Sequence, residues 1–347
     1  MIEEGAVSLP IDVPDTVRKD MSPFYNPKMR LNRDVTLAVL DAVDHSGFDT
    51  FFPLSGTGIR ALRCLKELDV VDSAVVNDIN ENFPDRFKTY AEQNNVSLSD
   101  VSVRSEDARS LSIELRSFDF VEIDPFGSPN PFLDGCIQQL RDGGVISLTA
   151  TDTAPLSGTY PTTCQRKYWA RPMRNHAMHE YGLRILIRKV QLIASQYSRC
   201  LEPIISYASD HYFKVIFRCS KSKQACHELQ DHFDTVNVDE AVIGPLWTGR
   251  LGDPTILTRV NMDLFPDETE ELLRTLAKEV SIDQVGFFDV HEEASKTGLG
   301  GPPSMDDVLV ELRGDGHDAV RTHFSHTGIR TDASLETLRS CLVDATR

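Results

Sequence analysis

"FDTFFPLSGTGIRALRCLKEL" occupies residues 48–68, and its reading decides the fold. Five of the first seven residues are apolar or aromatic, as in a buried strand. Gly56, Thr57 and Gly58 then break the run, and from Ile59 the apolar residues return at helical spacing. A strand, a glycine turn and a helix in immediate succession form the ligand-cradling corner of an open α/β sheet. Gly56 to Ala61 fits G-x-G-x-x-[GA], in which the glycines let the backbone turn tightly and approach a ligand. Asp78 closes the next strand-like run, 22 residues after Gly56, where an acid can accept hydrogen bonds from ribose hydroxyls. The pattern serves NAD, FAD and S-adenosylmethionine alike.

Outward from this corner the alternation continues. "SAVVND" (73–78), "VSVRSED" (101–107), "FDFVEID" (118–124) and "GGVISLTATD" (143–152) read as strands with helical stretches between them, which implies a parallel sheet. Residues 202–220 supply two further strands, while 221–239 are polar and follow no clear period. After "GPLWTGRLGD" the pattern changes to an acidic helix and shorter elements. We therefore expect two domains, 1–252 and 253–347. Asp107-Ala108, after the third strand of the series, would lie on the same sheet edge as Gly56 and Asp78.

The 347 residues hold no apolar run long enough to span a bilayer, so no membrane association is expected. The acidic N-terminal stretch lacks the apolar core of a signal peptide. Seven scattered cysteines without a C-x-x-C pair fit reduced thiols and a cytoplasmic location. The net charge is -17, with 33 Asp to 20 Glu and 25 Arg to 11 Lys. That bias suits a surface adapted to concentrated salt; a surface that repels polyanions is the competing reading. One window departs from it. Between Cys164 and Arg199 lie eight bases and a single acid, Glu180, interleaved with Tyr168, Trp169, Tyr181 and Tyr197. Bases mixed with aromatics mark a nucleic-acid contact, here through Arg166, Lys167, Arg171 and Arg174. A helix whose arginines pair with acids elsewhere is the alternative.

"VEIDPFGSP" (121–129) points to the chemistry. Proline cannot donate to a sheet ladder, so the strand stops at Asp124 and leaves a carboxylate and a ring at its exit. An exocyclic amine on a base becomes nucleophilic only when acceptors draw its lone pair out of the ring plane. Asp124 supplies a carboxylate, Pro125 a carbonyl and Phe126 a stacking face. "DPFG" resembles the "[DN]-P-P-[FYW]" signature of amino-methyltransferases, with Phe in place of the second proline.

The resemblance becomes specific over longer stretches: "FYNPKMRLNRDVTLAVL" (24–40), "PLSGTGIRALR" (53–63), "VEIDPFGSPNPFLD" (121–134), "TATDTAPLSGTYPTTCQRKYWARP" (149–172) and "RTHFSHTGIRTDA" (321–333). In these the chain is similar to archaeal tRNA (guanine(26)-N2)-dimethyltransferases. That resemblance implies a class I methyltransferase fold, Rossmann-like, with a mostly parallel seven-stranded sheet and a smaller C-terminal α+β domain. It implies two methyl transfers from S-adenosylmethionine to one guanine N2 of tRNA, by a protein expected to act as a monomer. By position it makes Asp124 the catalytic acid and Phe24, Pro125 and Phe126 the guanine pocket. Arg33, Gly56, Gly58, Arg60, Asp78, Asp107 and Ala108 become cofactor contacts. Many such proteins carry a cysteine-rich zinc site; Cys219 and Cys226, with His227 and His232 nearby, offer poor zinc spacing, and no metal is expected. Competing classes are an amino-methyltransferase on another nucleic acid or a protein amide, a nucleotide-binding oxidoreductase, and a tRNA-binding protein with a dead cofactor site.

Overall fold

The computed structural model describes residues 1–12, 24–45, 47–115, 117–209, 211–238 and 240–346. A short hairpin, β1 (Ile2–Glu4) and β2 (Val7–Leu9), opens the chain. Helix α1 (Arg30–Ala42) follows, then the alternation read from the sequence: β3 (Phe48–Phe52), α2 (Ile59–Glu67), β4 (Val71–Asn77), α3 (Phe83–Gln93), β5 (Val101–Arg104), α4 (Ala108–Glu114), β6 (Phe118–Ile123), α5 (Leu133–Gln138) and β7 (Leu140–Ala150). Three helices come next, α6 (Thr153–Leu156), α7 (Pro161–Tyr168) and the long α8 (Met178–Ser195), before strands β8 (Cys200–Ser209) and β9 (Tyr212–Ser220).

These strands form a seven-stranded sheet in the order β5-β4-β3-β6-β7-β9-β8. The first five are mutually parallel; β9 runs antiparallel to β7 and β8 antiparallel to β9. Period-two alternation sends successive residues to opposite faces. Phe52, Phe120, Val145 and Ile216 join one apolar core, and their neighbours Phe51, Val121, Ile146 and Val215 join the other. Strand order reverses between β3 and β6, which opens a crevice at the carboxyl ends of the strands.

The polar stretch after residue 220 folds as α9 (Lys223–Gln230), capped by Ser222, and a bulged hairpin of β10 (Phe233–Val238) and β11 (Ala241–Trp247). Cys219, Cys226, Leu229 and Trp247 enter the second core, so apolar packing holds this region. Among the described residues no three His, Cys, Asp or Glu side chains stand where they could hold a metal ion.

Helices α10 (Pro254–Leu257) and α11 (Asp267–Glu279) pack on the first core through Ile256, Leu257, Leu273 and Leu276. A separate small core begins at Val290. It is built by α12 (Val290–Lys296), α13 (Met305–Gly314), α14 (Leu335–Asp344) and the three-stranded sheet of β12 (Phe288–Asp289), β13 (Ala319–Arg321) and β14 (Gly328–Thr331). A buried charge cluster ties this unit to the rest. Glu180 on α8 accepts from Arg184 at 2.8 Å and from Arg330 on β14 at 2.8 Å. Arg184 also donates to the carbonyls of Trp247, Gly249 and Gln284. No helix of the described residues is long and apolar enough to cross a membrane.

Candidate active site

A cavity of about 500 Å³ opens at the strand ends between the loops that follow β3, β4 and β6. One half is built by the glycine turn. The Ser55 amide donates to the Asn77 carbonyl at 2.9 Å, and the Gly58 amide donates to the Ser55 carbonyl at 2.7 Å. Gly56 sits at φ 59°, in the left-handed region open to glycine. Its amide donates to Asp78 Oδ2 at 2.8 Å, and the Asn80 amide donates to Asp78 Oδ1 at 3.0 Å. A carboxylate has about four acceptor sites, so Asp78 keeps capacity for ligand hydroxyls. Ile79 stands beside it on the cavity wall, 72% exposed, an apolar surface of the kind a flat ring covers. Gly58 serves packing instead. A Cβ there would lie 2.3 Å from Phe87 Cδ2, so this glycine lets α2 and α3 pack closely.

The other half is built by β6 and its exit loop. Side chains alternate along a strand, so Glu122 and Asp124 share a face. Asp124 Oδ2 accepts from Arg60 Nη2 at 2.6 Å. Arg60 is fixed in turn by Thr36 Oγ1 at 2.7 Å and Asn32 Oδ1 at 2.8 Å. Burial works against its charge, but Glu122 and Asp124 outweigh that and raise its pKa. Phe126 is 52% exposed and meets Phe24 edge-on, with centroids 4.4 Å apart at 88°. Gly127 and Thr151 exchange two hydrogen bonds, which anchor the exit loop to the end of β7.

Below this floor lies a buried Lys–Glu pair. Lys214 on β9 donates to Glu122 Oε1 on β6 at 2.9 Å, reaching across β7. The β7 residues opposite them are Ser147 and Thr149, small enough to leave that path open. Burial pushes the Lys214 ammonium down to about 8 against the pull of Glu122.

Of the residues singled out from the sequence, Phe24, Arg33, Gly56, Arg60, Asp78, Asp124, Pro125 and Phe126 line the cavity; Gly58, Asp107 and Ala108 do not. Asp107 caps α4 through the Arg109 amide and pairs with the Arg109 guanidinium at 2.6 Å, and Ala108 is buried. Arg33 gives Nε and Nη2 to Glu4, each at 2.6 Å, and Nη2 also reaches the Asn26 carbonyl at 3.2 Å; its Nη1 makes no hydrogen bond among the described residues. Glu4 also accepts from Arg63 at 2.9 Å and from Tyr25 at 3.0 Å. Burial raises the Glu4 pKa, but the two arginines overcome this and hold it at about 2.

The basic window divides. Arg184 is a core residue, and Lys189 lies over the Trp169 ring with Nζ 2.9 Å from its centroid. Lys167 pairs with Asp152 at 3.2 Å. Arg166, Arg171 and Arg174 are exposed, and no ion pair is recorded for them among the described residues. This surface adjoins the exit loop: Asn130 Nδ2 donates to the Lys167 carbonyl, and the Ser128 and Tyr168 hydroxyls are 2.9 Å apart.

Sequence reasoning missed Ile79, Glu122 and Lys214. Ile79 had a signal, an apolar residue directly after the strand-closing acid. Glu122 and Lys214 are single charges inside apolar strand runs, which is the mark of a buried pair.

The N2,N2-dimethylguanosine tRNA methyltransferase family matches the chain over residues 5–240 and 235–343. The chain is 34% identical to the tRNA (guanine(26)-N(2)/guanine(27)-N(2))-dimethyltransferase of Aquifex aeolicus, over 97% of this chain and 94% of that protein. It is 33% identical to the tRNA (guanine(26)-N(2))-dimethyltransferase of Methanocaldococcus jannaschii, over 100% and 99%. In three dimensions it is similar to Trm1 from Pyrococcus horikoshii, solved as a complex with S-adenosyl-L-methionine. The TM-score there is 0.87 and the identity 28%, over 98% of this chain and 99% of that one. The matches run from the first hairpin through the small C-terminal core, and by them the chain belongs to the N2,N2-dimethylguanosine tRNA methyltransferase family.

Proposed function

We propose that this chain transfers methyl groups from S-adenosyl-L-methionine to the exocyclic N2 amine of guanine 26 in tRNA, twice in succession. The observation that carries the reading is the shared cavity. It sets the Asp78 carboxylate beside the glycine turn and the Asp124 carboxylate beside two aromatic rings. The first half fits the cofactor: Asp78 for the ribose hydroxyls, Ile79 for the face of the adenine, the 55–57 backbone beneath, and Arg33 Nη1 toward the carboxylate. S-adenosylmethionine supplies an electrophilic methyl group on a sulfonium.

The protein's own groups do the rest. A guanine stacked in tRNA cannot reach the end of a sheet, so it must swing out. Phe24 and Phe126 receive it. Their edge-on contact leaves no room for a base between them, so one ring turns aside as the guanine enters. Asp124 accepts an N2 hydrogen and draws the lone pair toward the methyl group. Arg166, Arg171 and Arg174, exposed on and just after α7, hold tRNA phosphates. We take the protein to act as a cytoplasmic monomer. Its excess of Asp over Glu and Arg over Lys suits activity in concentrated salt.

The test is incubation with labelled S-adenosylmethionine and unmodified tRNA, followed by nucleoside analysis. Label is expected in N2-methylguanosine first and N2,N2-dimethylguanosine later, and to vanish when guanine 26 is replaced. Label in another base, or label that survives the replacement, overturns the reading.

A further inference from the structure

Glu122 is 3% exposed and lies directly under the cavity floor. Its Oε1 is taken by Lys214, but its Oε2 has no hydrogen-bond partner among the described residues. Arg60 Nη1 stands 3.7 Å from Oε2. That nitrogen donates to Thr36 Oγ1 at 2.7 Å and makes a long 3.3 Å contact to the Asn32 carbonyl, while Nη2 holds Asp124 at 2.6 Å. A buried carboxylate oxygen left unbonded within reach of a guanidinium is unfavourable. A residue serving only as a counter-charge for Arg60 would bond it. Here the bond is poised and not made.

We propose that Glu122 is a positioning residue for methyl transfer, taking over the charge of Arg60 as Asp124 engages the guanine amine. The proposal rests on the function given above. Closing the gap from 3.7 Å to the roughly 2.9 Å of a bond is a shift of under about 1 Å, and it sacrifices only the long contact to Asn32. Arg60 stays anchored by Thr36 and the Asn32 side chain meanwhile. The consequence falls on Asp124. A carboxylate bonded closely to a guanidinium is a weaker proton acceptor than one from which the cation has drawn back. As the C–N bond forms at N2, the C–S bond of the sulfonium breaks with its electron pair left on sulfur. One N2 proton passes to Asp124, and from there to water through the open mouth of the cavity. Glu122 receives Arg60 during this step and returns it afterwards. Lys214 keeps Glu122 in place from the far side of β7.

Two variants test this. Glu122→Gln removes the charge and keeps the shape. Glu122→Gln with Lys214→Met replaces the buried pair by neutral groups, which protects the fold from an unpaired Lys214. Cofactor and tRNA dissociation constants, thermal midpoint and single-turnover rate are measured for each, with Glu122→Asp as the conservative control. Both charge-free variants should bind cofactor and tRNA within about twofold of the parent, yet transfer at least about tenfold more slowly. Glu122→Asp should regain part of the rate. Parent-like transfer in the double variant overturns the proposal. So does a loss of cofactor affinity that matches the loss in rate, which marks a purely structural pair. A parent that modifies no tRNA guanine overturns the function itself, whereas an active parent with an equally active Glu122→Gln overturns only the role of Glu122.

Discussion

The Gly56 amide donates to Asp78 Oδ2 at 2.8 Å, so the turn after β3 and the acid after β4 form one latched unit. Asp78→Ala removes the proposed ribose acceptor and releases the turn together. Cofactor affinity should fall by about 1–3 kcal/mol, the cost of leaving hydrogen-bonding groups unpaired. Asp78→Asn keeps one acceptor oxygen and should lose less. Calorimetric titration of S-adenosylmethionine decides it; an unchanged dissociation constant removes Asp78 from the cofactor site.

Asp124→Asn keeps the outline of the carboxylate and loses its charge. Transfer should drop on the order of 10²-fold or more, as for a positioned acid–base group. Cofactor affinity should stay near that of the parent. Single-turnover rates beside binding constants make the comparison, and near-normal turnover excludes the carboxylate from the chemistry.

Phe126 offers its exposed ring to the cavity, and Phe24 is its partner. Phe126→Ala should impair transfer to tRNA far more than cofactor binding, since base–aromatic stacking is worth about 1–3 kcal/mol. Equal damage to both places the ring against the cofactor.

Glu4 joins the first hairpin to α1 and α2 through Arg33 and Arg63. Its carboxyl is held at about 2, below its ordinary value of 4.5. The stability it contributes is therefore complete above pH 4.5 and fades as pH falls through 2. A shift of that size corresponds to about 3 kcal/mol. Glu4→Gln leaves the buried Arg33 guanidinium without its carboxylate, while Arg63 keeps Asp34 and Glu67, and should cost several kcal/mol at neutral pH, on the order of 3–5. The gap between parent and variant should narrow between pH 4.5 and 2. Denaturant titrations across that range measure it; a constant gap refutes the assignment.

Arg171 and Arg174 face solvent on the stretch after α7, where the Arg171 backbone pairs with Gly244 on β11. Log affinity for tRNA should fall linearly with log salt as counterions compete. At 1 M the screening length is about 3 Å, so only close contacts persist, and a bidentate guanidinium–phosphate pair outlasts a single ammonium. Arg171→Lys or Arg174→Lys should cost affinity at about 2 M salt more than at about 0.2 M, although charge is kept. Lysine variants that match the parent at both salts show that charge alone binds, or that this surface binds no RNA.

The parallel sheet and its crevice were legible because their signals are local: a glycine turn, a strand-closing acid and a proline each act within a few residues. The same holds for the placement of Gly56, Asp78 and Asp124 on the cavity wall. The relations that cross the chain were not legible. Arg33 reads as a cavity base in "LNRD", yet its main partner is Glu4, which comes from a hairpin too short to announce itself. Asp107 looks like a third ligand-facing acid, but Arg109, two residues on, takes it as a helix cap and ion pair. Arg184 and Lys189 counted toward a basic surface although α8 turns them inward, where Glu180 and the Trp169 ring receive them. Charge tallied along a sequence does not record which face of a helix carries it.

Glu180 grips Arg330 from deep within α8, and Arg184 reaches the backbone on both sides of the join. Ion pairs so enclosed by carbonyls and carboxylates do not slide, because any displacement strands a charge away from water. Swinging the small C-terminal core away from α8 would therefore leave Glu180 and Arg330 buried and unpaired, so the charge cluster works as a rivet between the two cores.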